Sequence, residues 1–74
     1  MDGINTNKLK GKVVERGWNM EKLAKELGIT TSKLYRKLSN NGKSMLVSDA
    51  TAIAVTLGLT STEAMEIFFA NVVA

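Results

Sequence analysis

The chain contains no cysteine, no histidine and no proline. Without cysteine there is no disulfide, no thiolate metal site and no cysteine nucleophile. Without histidine the commonest general base, the commonest metal ligand and every Ser-His triad are gone. No clustering of Asp, Glu, Lys and Ser replaces them, so neither catalysis, a metal nor a cofactor is expected, and no small-molecule ligand is evident. A run of about 18 apolar residues is missing, as is a signal-peptide pattern, so no membrane partner is expected and the cytoplasm, close to the nucleoid, is the expected location. Acid is also locally scarce: no Asp or Glu lies between Leu27 and Ser48.

Seventy-four residues are expected to form one domain spanning 1–74, complete in itself. A chain this short buries only about 60% of its unfolded surface, which makes each core position count. The net charge is +3, and all ten Lys and Arg lie between Lys8 and Lys43. Residues 1–46 hold ten basic and four acidic side chains, a net of +6; residues 47–74 hold Asp49, Glu63 and Glu66 and no base, a net of −3. Such asymmetry suggests one face for an anionic polymer and an opposite end with another task.

Apolar spacing predicts an all-α domain of five short helices. Asn5 or Thr6 caps the first, with Leu9, Val13 and Val14 inward and Gly17 at its end. Asn19 caps the second, "MEKLAKEL", which carries Met20, Leu23, Ala24 and Leu27 on one face and stops at Gly28. Thr30 caps the third, whose inner residues are Leu34 and Leu38. "SNNGKS" is a loop with an Asn-Asn-Gly turn signal. Ser48 is the expected cap of a fourth helix, with Ala50, Ile53, Ala54 and Leu57 inward and Gly58 at its end. Thr60 and Glu63 form a capping box for a fifth, which is expected to run to about Val73.

Two joints repeat one pattern: Leu27-Gly28-Ile29-Thr30 and Leu57-Gly58-Leu59-Thr60. Helix, short glycine turn, helix is the recipe for a helix-turn-helix corner, so the corner alone carries no function. The faces that follow differ. After Thr30 come two hydroxyls, a phenol and three cations (Lys33, Arg36, Lys37). After Thr60 come Glu63 and Glu66, which phosphate would repel. Only the first copy suits a DNA major groove, entered by the start of its helix. Thr31, Ser32, Tyr35 and Arg36 are the candidate base-contacting residues. Arg36 is the strongest of them, because a guanidinium pairs bidentately with guanine. Lys33 and Lys37 are candidate phosphate contacts. So are Asn40, Lys43 and Ser44 in the loop, and Asn19 at the start of the second helix.

"NMEKLAKELGITTSKLYRKL" resembles the helix-turn-helix of phage repressors and Cro proteins, the xenobiotic-response-element-like family. The family's small residue, glycine and inner apolar residue fall on Ala24, Gly28 and Leu34. The resemblance implies a lambda-repressor-like DNA-binding domain, with the helix-turn-helix at about 20–38 and a C-terminal apolar helix at about 61–73. It further implies a double-stranded operator as partner and a Cro-like repressor as function. Three places depart from the family. Met20 stands where many relatives hold a phosphate-touching Gln. Val13 and Leu38 stand where some bury an Arg–Glu pair, an apolar exchange that can be equally stable. Thr31 and Ser32 replace long amides at base-reading places.

The fifth helix is apolar around more than half its circumference, which suggests a partner for part of it. Phe68, Phe69, Val72 and Val73 are the expected interface of a homodimer, formed at least on DNA. A competing reading makes the same apolar end the contact of a helical protein-interaction module, an adaptor or an antirepressor.

Overall fold

The computed structural model of the protein describes residues 3–69, and these form five helices with no strand among them. The helices are α1 (Thr6–Glu15), α2 (Met20–Leu27), α3 (Thr31–Gly42), α4 (Val47–Leu57) and α5 (Ser61–Phe68). The helix starts are fixed by the side chains the sequence offers for them. Asn5 accepts a hydrogen bond from the Lys8 N–H at 3.0 Å, Asn19 from Lys22 at 2.8 Å and Thr30 from Lys33 at 3.1 Å. Thr60 and Glu63 bond reciprocally, Glu63 accepting from the Thr60 N–H and donating its own N–H to the Thr60 hydroxyl. Each of these satisfies a helix N–H that has no partner within its helix.

The two joints are the same object. Gly28 has φ +74° and Gly58 φ +66°, the left-handed region that costs a Cβ-bearing residue. Ile29 N–H donates to the Ala24 carbonyl at 3.0 Å and Leu59 N–H to the Ala54 carbonyl at 2.9 Å, the six-to-one bond of a Schellman motif.

Leu9, Leu23, Leu34, Ile53, Ile67 and Phe68 form the centre of one core, each no more than 2% exposed. Val13 and Leu38 are buried in the same cluster, apolar at both places. Two core residues come from outside the predicted stripes. Met45 is 1% exposed, and Ile4, ahead of α1, is 6% exposed. Ile4 N–H donates to the Asn41 carbonyl at 3.1 Å and Asn5 N–H to the Ile67 carbonyl at 2.8 Å. The segment before α1 is thus strapped across the non-helical end of α3 and the end of α5.

Several expectations are corrected. Val14 is 70% exposed, because Leu9 and Val13 already fill the narrow inner arc of α1. Leu46, not Ser48, is the N-cap residue of α4. Its side chain makes no cap, and Asp49 instead accepts from the Leu46 N–H at 2.9 Å. α5 spans Ser61–Phe68, and Phe69 follows with φ −127°, outside helical geometry; the expected run on to about Val73 lies outside the described residues.

The charge asymmetry of the sequence folds back on itself. All three acids of residues 47–74 are paired with lysines of the first half: Asp49 with Lys37, Glu63 with Lys12 and Glu66 with Lys8. The C-terminal half is therefore no separate acidic pole. Lys12 holds the Glu63 carboxyl down, and the Thr60 N–H adds to this, so its pKa falls from 4.5 to about 2. The same hydrogen bond raises the Lys12 ammonium above its ordinary value. A carboxyl depressed on folding contributes stability above its unfolded value of 4.5, and that contribution is lost as pH falls toward 2. Glu63→Gln keeps a side chain able to complete the capping box and removes the charge. Thermal unfolding followed by circular dichroism should show the wild type losing melting temperature between pH 4.5 and 2.5 more steeply than Glu63→Gln.

Candidate nucleic-acid interface

α3 is presented by its buried stripe. Leu34 and Leu38 are 0% and 6% exposed, which turns the opposite arc outward. Ser32, Lys33, Tyr35 and Arg36 are exposed on that arc and Thr31 is half-buried at its edge. Among the described residues no acidic side chain forms an ion pair with Arg36, and its carbonyl accepts from the Ser39 hydroxyl at 2.7 Å as the helix closes. The four candidate base-contacting residues thus lie together in the first turn and a half of one helix.

Lys37 does not belong with them. Its ammonium donates to Asp49 at 3.0 Å and its side chain is only 19% exposed. One step from Arg36 turns it toward α4, where it locks α3 to the N-terminus of that helix. Burial pushes the Asp49 carboxyl up. The Leu46 N–H and the Lys37 ammonium outweigh that, and the group sits below its ordinary value. The side chain expected to meet a phosphate is engaged in this ion pair with α4.

The turn that follows Leu38 is closed by its own hydrogen bonds. α3 runs as a regular helix to Leu38. Ser39 is extended, at φ −69° and ψ 160°, and Asn40 and Asn41 take φ +52° and +59°. Asparagine tolerates this left-handed region better than most residues. Gly42 completes three successive positive φ values at +77°. Lys43 N–H donates to Asn40 at 3.2 Å and Met45 N–H to Gly42 at 3.0 Å. With Met45 and Ile4 buried beneath it, the loop holds Asn40, Lys43 and Ser44 exposed. At the start of α2, Asn19 is exposed and caps the helix.

A family model described as "Bacterial regulatory protein, Fis family", a helix-turn-helix model, matches residues 15–40. The matched stretch contains α2, the Gly28 joint and α3 as far as the loop, about a third of the chain. The second joint lies outside it. α2 and α3 form the helix-turn-helix of a DNA-binding domain. The match supports that helix-turn-helix and not the narrower Cro-like assignment. Comparison with curated proteins and with solved structures gave no match.

Two cationic features near this surface were not visible in the sequence. The single tryptophan, Trp18, has the Arg16 guanidinium 5.0 Å and the Lys22 ammonium 5.6 Å from its ring, beside the Asn19 cap. Arg16 also donates to the Leu57 carbonyl at 3.0 Å, closing the end of α4. Lys10 of α1 stands 5.9 Å from the centre of the Tyr35 ring. No sequence signal joins residues 25 positions apart; only the packing of α1 beside the helix-turn-helix brings them together.

Of the expected dimer residues, Phe68 is 2% exposed and is spent in the protomer's own core, so it is not free for a partner. Phe69 is half-buried. Val72 and Val73 lie outside the described residues. Phe69 lines an apolar groove of about 170 Å³ between α4 and α5, with Val47, Ala54, Val55 and Ala64. Val47 and Val55 are 63% and 76% exposed at its edge. None of the residues lining it is charged.

Among the described residues no group of acids could hold a metal ion, and no helix is long and apolar enough to cross a membrane.

Proposed function

We propose that the chain is a sequence-specific operator-binding protein acting as a Cro-like repressor in a phage or prophage switch. The observation that carries the reading is the outer arc of α3. Ser32, Lys33, Tyr35 and Arg36 are exposed together, and no acid occurs between Leu27 and Ser48 in the chain. In this reading the start of α3 enters the major groove. Arg36 pairs with a guanine, Tyr35, Ser32 and Thr31 meet neighbouring base edges, and Lys33 takes a phosphate. Asn19 and the loop residues Asn40, Lys43 and Ser44 hold the flanking strand and set the register. Repression follows by occlusion of promoter DNA.

The protein acts as a homodimer through the α4–α5 groove, with Phe69, Val47 and Val55 in place of the deeper Phe68. A two-fold contact sets one patch against itself, and an uncharged apolar patch does so without repulsion. Two α3 helices then reach half-sites about 34 Å apart on one face of the duplex.

Selection of bound duplexes from a random pool tests both parts. Recovered sites with an inverted repeat at about 10-base-pair spacing support a dimeric operator binder. Recovery of no preferred sequence would sink the reading and leave the apolar groove as the contact of a protein-interaction module.

A further inference from the structure

The geometry points to Lys10 of α1 as a positioning residue for Tyr35, and through it as a determinant of which base pair the recognition helix prefers. The inference rests on the reading of α3 as the base-contacting helix.

α1 carries three lysines at alternate positions, and the structure separates their tasks. Lys8 and Lys12 are four residues apart and share a face, which pairs with Glu66 and Glu63 of α5. Lys10 lies two residues from either, about 200° round the helix. It faces away from α5, and among the described residues no acid pairs with it; its ammonium stands over the Tyr35 ring at 5.9 Å. Tyr35 is 46% exposed and one residue before Arg36, so its phenol belongs to the surface offered to DNA. A ring exposed to that extent moves between rotamers unless something holds it. The ammonium supplies a hold by attraction to the ring face, and it comes from a different helix. Tyr35 is therefore oriented by α1 and not by α3 alone.

The test uses fluorescence anisotropy on the duplex recovered from the random pool, and on a panel with each base pair changed singly. Lys10→Met keeps the apolar stem and removes the charge. It should lower discrimination by about two- to fivefold, the size of an exposed cation–ring contact, at the same base pair where Tyr35→Ala lowers it. Lys10→Arg should restore discrimination, since a guanidinium stacks on the ring as well as an ammonium does. The double variant should discriminate no worse at that pair than Tyr35→Ala. Uniform weakening by Lys10→Met across the whole panel, with discrimination intact, would overturn the inference and leave Lys10 as a phosphate contact. So would additive losses in the double variant, or a Tyr35→Ala that leaves the panel unchanged. Arg36→Ala in parallel separates the two levels. Discrimination lost there but kept in Lys10→Met overturns the role of Lys10 alone. Discrimination kept in every variant overturns the recognition face itself.

Discussion

Phe68→Ala should be the most destabilising single change in the protein, at about 3–5 kcal/mol. Phe68 is 2% exposed and is the largest fully buried side chain of the core. Truncating a buried phenylalanine costs about 3–5 kcal/mol, transfer and cavity together. A chain of this length has a total stability of roughly 4–11 kcal/mol, so the change removes from about a quarter of it to all of it. Phe69→Ala, at a half-buried position on the groove, should cost no more than about 2 kcal/mol and act on association instead. Urea denaturation at several protein concentrations separates the two. If Phe68→Ala keeps the wild-type midpoint at high dilution and loses only its concentration dependence, Phe68 is an interface residue after all.

Gly42→Ala should be the next most damaging single change, at about 3 kcal/mol. Two costs add. A Cβ-bearing residue at φ +77° pays about 1–2 kcal/mol for the left-handed region. The added Cβ would also stand 2.1 Å from Ile4 Cδ1 and 2.6 Å from Ile4 Cγ1. Ile4 is itself buried and tied by its N–H to Asn41, so it cannot simply swing aside, and overpacking costs about 1–3 kcal/mol. Gly28→Ala is the control. It has nearly the same φ, +74°, and nothing within 4 Å of the new Cβ, so it carries the first cost alone. Combining Gly42→Ala with Ile4→Ala should cost less than the two changes separately, because the second makes room for the first. Equal melting temperatures for Gly42→Ala and Gly28→Ala would show that Ile4 does not press on the loop. Loss of that packing would also loosen Asn40, Lys43 and Ser44, and so weaken DNA binding on every sequence alike.

The local features of the fold were legible because their causes are local. Asn5, Asn19, Thr30 and the Thr60–Glu63 box each bond within three residues of themselves, and the two glycine joints close within six. The outer arc of α3 was legible for the same reason: Leu34 and Leu38 fix the rotation of the helix, and the remaining residues follow. What the sequence hid is long-range. Ile4 meets Gly42, Lys37 meets Asp49, and Lys8 and Lys12 meet Glu66 and Glu63. Counting charges by halves missed those pairs, because a fold can lay one half over the other. Lys37 shows the consequence most clearly. Its neighbour Arg36 points outward, and a single 100° step carries Lys37 to α4. Phe68 and Phe69 both line the α4–α5 groove, but Phe68 is buried in the core at its base and Phe69 is only half-buried. A segment apolar on most sides does not say which residue goes where, because apolar character alone does not fix the rotation of the helix.

The central claim is that specificity resides in the outer arc of α3, not in the glycine corner. Competition binding of Arg36→Ala and Lys43→Ala against the same panel of duplexes tests it most directly. Arg36→Ala should lose about 1–3 kcal/mol of discrimination at one base pair per half-site. Lys43→Ala should weaken all duplexes by a similar factor and lower the salt slope by about one. Trp18, beside the Asn19 cap and alone of its kind in the chain, supplies an intrinsic fluorescence signal for both titrations. If Arg36→Ala binds every duplex with the wild-type order of preference, α3 does not read the sequence and the account is contradicted.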